Sequence, residues 1–559
     1  MLDGYFIKKV GNHRGKPRVW VEGLAATVAG FAPGQRYDVE VRGSTVVLQV
    51  NQDGSRVVSS KVIGERVNPV IDLNSRELLA VFDGMAAVRV VAREGEIYIL
   101  PLATELRKRE RMERLRERLE NGEPLRIGSV SHGGGVLSHA LHEGFKAAGV
   151  PTELAFANDI RDDLIQHASQ ANDAWNARTV PLVAPMQELA FDERAMGHLP
   201  AAEIVEAGIP CSGQSKAGKA KRRLTHEAEH PEVGHLVVPT LIIIAKANPA
   251  VVLLESVPDA ARSETASIFR NQLRDLGYAI HERTLSGKEW SSLEPRNRWC
   301  MVAVSAGIEL DLDALIPPTK AERKVGDVLE PVPPEDPRFR EYGYLKDKLV
   351  RDQAEGKGFA FKVVDAESTS VGVVNKTYHK SQSTGTYVAS PTDPGKMRLL
   401  TSTEHARIKR VPEHLIDGLS NTVAHEMLGQ GVLYDPFRDL GQHVANSLHR
   451  VVGRSEVPLP DREATVSPAA HSLDIRDLGR EVADELRIAD THSGKYKGQV
   501  VASAGDYFIQ DVGRRVGVVH DRRKFGEPPA LGAIVRIAYE RDRGRAQAAP
   551  TQQLSLGLD

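Results

Sequence analysis

Several features that would assign a protein to a specialised class are absent from this sequence. Only two of its 559 residues are cysteines, Cys211 and Cys300, too few for a disulfide framework or a cysteine-based zinc cluster. No run of about 18 apolar residues occurs, so no membrane-spanning segment is expected. The first residues, MLDGYFIKKVG, lack the apolar stretch of a signal peptide, which predicts a cytoplasmic protein.

A strong net charge is also absent. The 73 lysines and arginines nearly balance the 75 acidic residues, for a net charge of −2. Bulk charge therefore does not indicate a nucleic-acid-binding protein, and any DNA contact must come from local basic patches. The 41% hydrophobic and 26% charged residues are ordinary for a soluble globular protein, and the length suffices for three or four domains.

The composition changes several times along the chain. Short β-branched runs with glycine-containing turns predict a small β-rich accessory domain at 1–101, and a highly charged stretch predicts a solvated helical connector at 102–123. Strands then alternate with helices through 124–309, which predicts a doubly wound, mostly parallel α/β sheet. The remaining predicted divisions are a polar region at 310–398, a helical region at 399–453, a linker at 454–489, a second small β domain at 490–545 and a disordered tail at 546–559.

A glycine-rich segment follows the first predicted strand of the α/β region. It consists of Ser131, His132, Gly133, Gly134 and Gly135. Glycines allow close approach to the backbone, and the following helix offers free N–H groups, so this segment suits a nucleotide-type cofactor. Asp159 ends the next predicted strand, where a ribose hydroxyl pair is bound in such folds. A tight turn and a helix N-cap are the alternative interpretations of the glycines and of Asp159.

Cys211 follows an apolar strand and Pro210, at the strand end where α/β active sites lie. A thiolate there could act as a nucleophile, whereas Cys300, within RWCMVAV, fits a small buried residue. The loop after Cys211 is basic, with five cations in the eight residues KAGKAKRR. A basic loop beside a nucleophile suits a phosphate backbone. Its candidate DNA-binding residues are Ser215, Lys216, Lys219, Lys221, Arg222 and Arg223.

Three further charged residues stand beside buried strands. Five apolar residues lead directly into Glu255, whose carboxylate is placed for acid–base work on a substrate ring. Arg296 and Arg298 are two residues apart before another buried strand, so they point the same way and suit an oxygen or a phosphate. A structural salt bridge is the alternative for each arginine.

These motifs, in this order, resemble the DNA cytosine-5 methyltransferase family across residues 124–435. VSHGGG resembles its F-x-G-x-G-G loop, PCSGQSKAG its P-C-Q-x-x-S-x-A-G loop and EPRNR its Q-x-R-x-R motif. ESV resembles its E-N-V, LTSTEHARI its L-T-x-x-E-x-A-R helix and SNTV its G-N-x-V. The departures include His132, Ser212, Ser256, Glu294 and Ser420, and Met186 stands where a further acidic residue is expected.

The resemblance implies a Rossmann-like S-adenosylmethionine-dependent catalytic domain. It implies that Asp159 binds the cofactor ribose, that Ile160 lies beneath the adenine, and that Pro210, Asn421 and Thr422 help to form the cofactor site. Cys211 would attack carbon 6 of a flipped-out cytosine while Glu255 holds and protonates N3. Arg296 would contact the base or the attacking centre, and Arg298 would support the loop. No metal is expected.

The resemblance also implies a partner, double-stranded DNA. Residues 310–398 would be the target-recognition region that reads the DNA through the major groove, with YHKSQSTGTY (378–387) there or near the phosphates. Residues 490–545 resemble the KfrB-type domain of plasmid proteins, which indicates a prokaryotic, mobile-element enzyme acting as a monomer on DNA. A cognate restriction endonuclease is a candidate partner, although no nuclease motif is evident.

Three other functions remain open from the sequence. A catalytically degenerate methyltransferase acting as a DNA-binding regulator is disfavoured by the retained Cys211 and Glu255. A methyltransferase acting on RNA or a free nucleotide is disfavoured by the length of the 310–398 region. A dinucleotide-dependent oxidoreductase would explain the glycine loop but would leave PCSGQSKAG and EPRNR without a role.

Overall fold

The computed structural model of this chain divides into two compact units, Met1–Glu463 and Ala464–Asp559, and each is described by itself. The residues that the structure describes are 3–209, 230–318, 322–356, 360–455, 485–491, 494–504, 507–513, 516–526, 528–540 and 543–548. Among the helices of these described residues, none has the length and apolar character needed to cross a membrane.

A nine-stranded antiparallel sheet forms the N-terminal part of the first unit. Side chains alternate between core and surface along its strands, as expected of a sheet with one face on a core. The strand order is β5-β3-β4-β9-β8-β1-β2-β7-β6, with one short helix, α1 (Leu24–Thr27). The strands are β1 (Gly4–His13), β2 (Lys16–Glu22), β3 (Arg36–Arg42), β4 (Thr45–Val50), β5 (Arg56–Val57), β6 (Ser59–Ile63), β7 (Arg66–Leu73), β8 (Ala87–Arg93) and β9 (Glu96–Pro101).

A seven-stranded, mostly parallel sheet follows and confirms the predicted sheet type. Its strands are β10 (Leu125–Val130), β11 (Thr152–Asp159), β12 (Val180–Val183), β13 (Ile204–Gly208), β14 (Val251–Ser256), β15 (Tyr278–Ser286) and β16 (Asn297–Ser305). The order is β12-β11-β10-β13-β14-β16-β15. The strand β16 runs antiparallel to both of its neighbours, β14 and β15. The strand order reverses between β10 and β13, so the crevice at their carboxyl ends is where a ligand is expected.

Helices cover both faces of this sheet, because its central strands are apolar on both sides. One hydrophobic cluster joins the sheet to α3 and α12, and a second joins its other face to α7 and α8. The helices are α2 (Ala103–Asn121), α3 (Val136–Ala147), α4 (Asp162–Ala171), α5 (Met186–Phe191), α6 (Glu193–His198), α7 (Val237–Ala247), α8 (Glu264–Asp275), α9 (Gly343–Ala354), α10 (Ser402–Lys409), α11 (Asn421–Gln430) and α12 (Tyr434–Val451).

Helix α2 is not the solvated connector that its charge predicts. Its Met112, Leu115 and Leu119 are buried in the same cluster as α3 and α12. Arg114 Nε lies 2.7 Å from Oε1 of Glu203, a residue whose side chain is 0% exposed. The prediction of a solvated helix was wrong because Arg114 and Arg118 pair with Glu203, which lies far away in the sequence. The aliphatic parts of such side chains cover apolar surface.

A three-stranded sheet lies within the predicted target-recognition region. Its strands are β17 (Lys362–Val364), β18 (Thr386–Ala389) and β19 (Met397–Arg398), in the order β17-β18-β19. The strands β17 and β18 are parallel and β19 is antiparallel to β18. A separate hydrophobic cluster joins this region to Leu293 and Ile408, so the region is anchored on the segments before β16 and within α10.

The C-terminal unit contains a six-stranded sheet in the order β20-β23-β22-β21-β24-β25. Its strands are β20 (Glu485–Ile488), β21 (Lys495–Ala504), β22 (Tyr507–Asp511), β23 (Val516–Asp521), β24 (Ile534–Glu540) and β25 (Arg543–Ala548). Two predicted boundaries therefore shift, because β20 falls within the predicted linker and β25 runs into the predicted tail. β20 pairs in parallel with β23, and β25 pairs antiparallel with β24, the strand just before it. The rest of that linker from 456 and of that tail from 549 lies outside the described residues.

Candidate functional site

The glycine-rich segment links β10 to α3 through left-handed backbone conformations. Gly133 and Gly135 have φ angles of 56° and 75°, which glycine adopts at little cost. Gly134 lies against α11, since a Cβ atom there would be 2.0 Å from Sδ of Met427. The loop therefore needs glycine both for its backbone path and for the close packing of α11.

Asp159 is oriented by this loop. Its Oδ2 accepts a hydrogen bond of 2.7 Å from the backbone N–H of Gly133, and its Oδ1 accepts one of 3.0 Å from that of Arg161. The adjacent Ile160 is 69% exposed, unusual for a large apolar side chain at the end of a core strand. A fixed carboxylate beside an exposed apolar side chain suits the ribose and base of a nucleoside.

His132, predicted to contact the cofactor, directs its side chain into the protein. Its Nε2 accepts a hydrogen bond of 3.2 Å from Trp175 Nε1, and its Nδ1 lies 2.8 Å from Ser129 Oγ. Because Nε2 accepts, the ring proton is on Nδ1 and is donated to Ser129. Burial lowers the pKa of His132 to about 3, so the ring is neutral and supports the loop from beneath.

Glu255 ends β14 and forms an ion pair with Arg298 on β16. Its Oε1 lies 2.7 Å from Arg298 Nε. Burial raises the pKa of Glu255, although the positive charges of Arg298, Arg296 and Lys409 oppose that effect. A buried carboxyl group whose pKa is raised keeps its proton to a higher pH than an exposed one, as a group that protonates a substrate must.

Arg296 is buried beneath the site. Its Nη2 donates a hydrogen bond of 2.8 Å to the carbonyl oxygen of Gly429, near the end of α11. Its Nη1 lies 3.5 Å from Oε1 of Glu294. In the described structure, Arg298 thus forms the ion pair with Glu255, and Arg296 contacts α11 and Glu294. The predicted contact of Arg296 with the base stays a prediction.

Glu294, which replaces the expected glutamine, has a matching partner. Its Oε2 lies 2.9 Å from Nζ of Lys409, and both side chains are 0% exposed. Burial would raise the pKa of Glu294, but the charges of Lys409 and Arg296 outweigh it and lower that pKa. Its Oε1 also accepts a hydrogen bond from Val374 N–H. This pair joins α10, the β16 entrance and the target-recognition region.

Glu206, on β13, is a site residue that the sequence analysis missed. It is 2% exposed and pairs in register with Ser129 of β10. Burial raises the pKa of Glu206 to about 8, while its hydrogen bond with Ser129 lowers it and the charge of Glu255 raises it. A glutamate within the apolar strand EIVEAG was the available signal, because acidic residues are almost never fully buried without a partner.

Pro210, Cys211 and the six predicted DNA-binding residues lie outside the described residues. The described chain leads up to them at a defined place. Gly208 pairs with Glu255 across β13 and β14, and Ile209 N–H donates a hydrogen bond of 3.2 Å to the carbonyl oxygen of Glu255. The segment that contains Cys211 therefore begins beside Glu255.

The helix that carries LTSTEHARI is stabilised by a buried ion pair. Both oxygens of Glu404 lie 2.7 Å from nitrogens of Arg398. Thr401 and Glu404 form a capping box at the start of α10, which satisfies free N–H groups there. Thr401 and Glu404 of this motif therefore have a structural role in this chain.

The SNTV segment begins α11. Ser420 caps the helix by accepting from Val423 N–H, and Asn421 and Thr422 are exposed. Glu426 lies 3.7 Å from Arg161, which follows Ile160.

Met186 stands where an acidic residue was expected. It is buried, and its Sδ accepts a hydrogen bond of 3.4 Å from Thr240 Oγ1. Its role is therefore in packing.

The YHKSQSTGTY segment begins and ends in the core of its region. Tyr378 and Tyr387 are 1% and 0% exposed. Tyr378 Oη accepts a hydrogen bond of 2.9 Å from Leu400 N–H. The two tyrosines therefore anchor the ends of this segment in the core. Exposed positions, such as Lys380, lie between them.

Comparison with known proteins agrees with these observations. The family model described as C-5 cytosine-specific DNA methylase matches residues 138–445, and the KfrB domain model matches residues 495–550. The chain is 26% identical over 264 residues to type II methyltransferase M.NlaX of Neisseria lactamica, covering 46% of this chain and 80% of that protein. It is 25% identical over 258 residues to M.SsoII of Shigella sonnei, covering 45% of this chain and 65% of that protein, just under two thirds.

Similar solved structures include the Dnmt2 methyltransferase of S. pombe, with 19% identity, a TM-score of 0.44 and coverage of 56% of this chain and 97% of that one. The first of the two family models covers more than half of the chain. The chain belongs to the C-5 cytosine-specific DNA methylase family and carries a KfrB domain at its C-terminal end.

Proposed function

We propose that this protein methylates carbon 5 of cytosine in double-stranded DNA, with Cys211 as the nucleophile and S-adenosylmethionine as the methyl donor. The observation that carries the proposal is the buried pair of Glu255 and Arg298, 2.7 Å apart. It stands where the Pro-Cys segment begins, since Ile209 N–H bonds to the backbone of Glu255. The order of the sequence motifs and the family membership support the same chemistry.

The described residues around the glycine loop fit S-adenosylmethionine. The fixed carboxylate of Asp159 would bind the ribose hydroxyls, the exposed Ile160 would cover the adenine, and the loop of Gly133 to Gly135 would lie against the remainder. The sequence motifs add Ser131, Pro210, Asn421 and Thr422 to this set. When bound, the cofactor supplies an electrophilic methyl group.

The residues of this chain would divide the work on the cytosine ring. The base is flipped out of the duplex because carbon 6 is buried in the stack. The Cys211 thiolate then forms a bond to carbon 6, and the protonated carboxyl of Glu255 donates its proton to N3, which makes carbon 5 nucleophilic. After carbon 5 is methylated, a base removes its proton and the bond to Cys211 breaks.

Arg298 would set how readily Glu255 gives up its proton. Burial alone favours the neutral carboxyl, and the guanidinium beside it favours the carboxylate. The two effects together leave a group that holds a proton before the attack and releases it during the attack.

The wider setting of the enzyme follows from its motifs and relatives. We expect a sequence-specific, stand-alone enzyme of a prokaryotic cytoplasm, with the target-recognition region reading DNA and the basic loop contacting phosphates. Its relatives M.NlaX and M.SsoII are named as type II methyltransferases, and a cognate restriction endonuclease is a candidate partner here.

The test begins with DNA from a bacterial host that expresses the full chain. Bisulfite sequencing should show cytosine methylation at one recurrent sequence. Duplexes that carry 5-fluorocytosine at that position should then form a covalent adduct with purified protein in the presence of S-adenosylmethionine, because fluorine on carbon 5 blocks the final elimination.

Two cysteine variants serve as a matched pair. Cys211→Ala should form no adduct, whereas Cys300→Ala should still form it, because Cys300 is a buried thiol whose pKa burial raises to about 12. If the wild-type protein bound DNA but neither methylated it nor formed the adduct, the chain would be a DNA-binding regulator and the proposed mechanism would be wrong.

A further inference from the structure

Three side chains with metal-binding atoms meet outside the predicted catalytic and cofactor residues. His139 is on α3, Asp173 follows α4, and His414 is in a short 3₁₀ segment, Glu413–Ile416. One ligand atom from each lies within 4.8 Å of the others. Asp173 Oδ1 is 2.6 Å from Nε2 of His139 and 3.7 Å from Nε2 of His414.

His139 is held as a metal-binding histidine usually is. It is 3% exposed, and its Nδ1 lies 2.6 Å from the hydroxyl of Tyr434. A hydrogen bond at one ring nitrogen fixes the orientation and the tautomer, leaving the other nitrogen for an ion.

Nε2 of His139 is buried, and Oδ1 of Asp173 lies 2.6 Å from it. A metal ion bound in the cluster would replace the proton that this nitrogen shares with the carboxylate, and that proton would pass to solvent. This nitrogen faces the carboxylate and the second imidazole.

The other two side chains can adjust to an ion that enters from solvent. The side chains of Asp173 and His414 are 66% and 48% exposed. A tetrahedral ion with bonds of about 2.0–2.1 Å sets its ligand atoms about 3.3 Å apart. The 2.6 Å separation must therefore widen slightly and the 3.7 Å separation must shorten, which exposed side chains allow.

We propose that His139, Asp173 and His414 bind a divalent transition-metal ion, Zn²⁺ as the reference case, with water as a fourth ligand. Two imidazoles and one carboxylate are ligands that Zn²⁺ accepts readily. The remaining open position is occupied by water because the site faces solvent on the side of Asp173 and His414.

The ion would join three segments that frame the glycine loop. Helix α3 follows directly from Gly135, and Asn172, the neighbour of Asp173, donates a hydrogen bond of 3.1 Å to the carbonyl oxygen of Gly135. The segment of His414 leads into α11, which packs on Gly134 through Met427. Metal binding would therefore tie α3, the end of α4 and the entry to α11 together behind the cofactor loop.

The test uses the full chain, free of any affinity tag and stripped with a chelator. Calorimetric titration with zinc chloride should show one strong site per chain, and zinc-edge X-ray absorption should show nitrogen and oxygen ligands without sulfur. Asp173→Asn and His414→Ala should each weaken zinc binding by at least about tenfold. His198→Ala, which removes an exposed histidine of α6, should leave it unchanged.

Tyr434→Phe tests the support of His139 and keeps the buried ring. It should weaken zinc binding by about 10–100-fold, the usual effect of losing a group that orients a ligand. No stoichiometric binding by the wild-type chain, sulfur among the ligands, or equal affinity in the Asp173→Asn and His414→Ala variants would overturn the proposal. None of these outcomes depends on methylation, so the metal site and the proposed function fail separately.

Discussion

At the scale of single residues, Glu206 gives the region beneath the active site its polar character. It belongs to a buried chain in which Trp175 donates to His132, His132 donates to Ser129, and Ser129 hydrogen-bonds to Glu206. Glu206 and Glu255 point to the same face, because Glu206 pairs with Leu253 and Glu255 is two residues further along β14. The neutral form of Glu206 avoids burying a negative charge beside the carboxyl group of Glu255.

Glu206→Gln should stabilise the protein at high pH. The pKa of Glu206 is raised from 4.5 to about 8, so its contribution to stability is fully present below pH 4.5 and is lost as pH rises through about 8. Glutamine mimics the neutral carboxyl and does not ionise. We expect similar stability of variant and wild type near pH 4.5 and a variant more stable by several kcal/mol near pH 8, since one pKa unit corresponds to about 1.4 kcal/mol.

Urea unfolding of both proteins across that pH range provides the measurement. Glu188→Gln, at an exposed position of α5, should follow the wild type throughout. A constant difference between Glu206→Gln and wild type at all pH values would show that Glu206 is ionised in the folded protein.

Arg298 and Arg296 should lose different properties when each is changed to methionine. Arg298→Met removes the ion pair of Glu255 and should lower the rate of adduct formation by at least about 10²-fold with little unfolding, the scale of a lost acid–base contribution. Arg296→Met leaves Lys409 as the buried cation beside Glu294 but removes the donor to the carbonyl oxygen of Gly429. It should destabilise the fold by about 1–3 kcal/mol, the scale of a buried acceptor left without its donor.

Single-turnover kinetics and urea unfolding on the same preparations separate the two effects. If Arg296→Met were fully stable but inactive, and Arg298→Met unstable but active, the roles expected from the sequence would be right and those inferred from the geometry wrong.

At the scale of elements, α12, the last described helix of the first unit, packs closely on α3. Helices α12 and α3 approach so closely that backbone touches backbone. A Cβ atom at Gly144 would lie 2.1 Å from the carbonyl oxygen of Arg438, and one at Gly441 would lie 2.9 Å from that of Leu141. Two glycines on facing helices thus permit a contact between segments about 300 residues apart in the sequence.

Gly144→Ala should destabilise the first unit. The added methyl group meets backbone, which cannot rotate away, and overpacking of this kind costs about 1–3 kcal/mol. Gly197→Ala is the matched control, because a Cβ atom there meets nothing within 4 Å, and alanine should be neutral or favourable by about 0.5–1 kcal/mol in that helix. Thermal unfolding of the two variants would contradict this packing if both behaved alike.

At the scale of the whole molecule, the chain consists of two units with separate hydrophobic cores. Among the described residues, one cluster lies wholly within 489–546, and the other clusters lie wholly before residue 453. Each unit therefore has the buried apolar surface that drives its own folding.

Calorimetry of the full chain should show a separate transition for the C-terminal unit. A chain ending at Glu463 should lose that transition, keep the temperature of the remaining unfolding, and keep methylation activity. If removal of residues 464–559 abolished folding of the remainder, the two units would be one cooperative structure.

Local pattern was sufficient for much of the fold. The alternation of strands and helices predicted through 124–309 is present as β10 to β16, with α3 to α8 between them, because strand-length apolar runs separated by helical patterns favour such a sheet. The family resemblance also followed from short motifs and their order, and the matching models confirm it.

Contacts between segments that are far apart in the sequence could not be predicted from such patterns. The sequence by itself determined which strands and motifs occur, since these depend on neighbouring residues. Only the tertiary structure decided that α2 docks through Glu203, that Arg298 forms an ion pair with Glu255, and that His139, Asp173 and His414, up to 275 positions apart, meet. Burial and charge pairing are set by what packs against a side chain, and the packing partners are chosen by the whole fold.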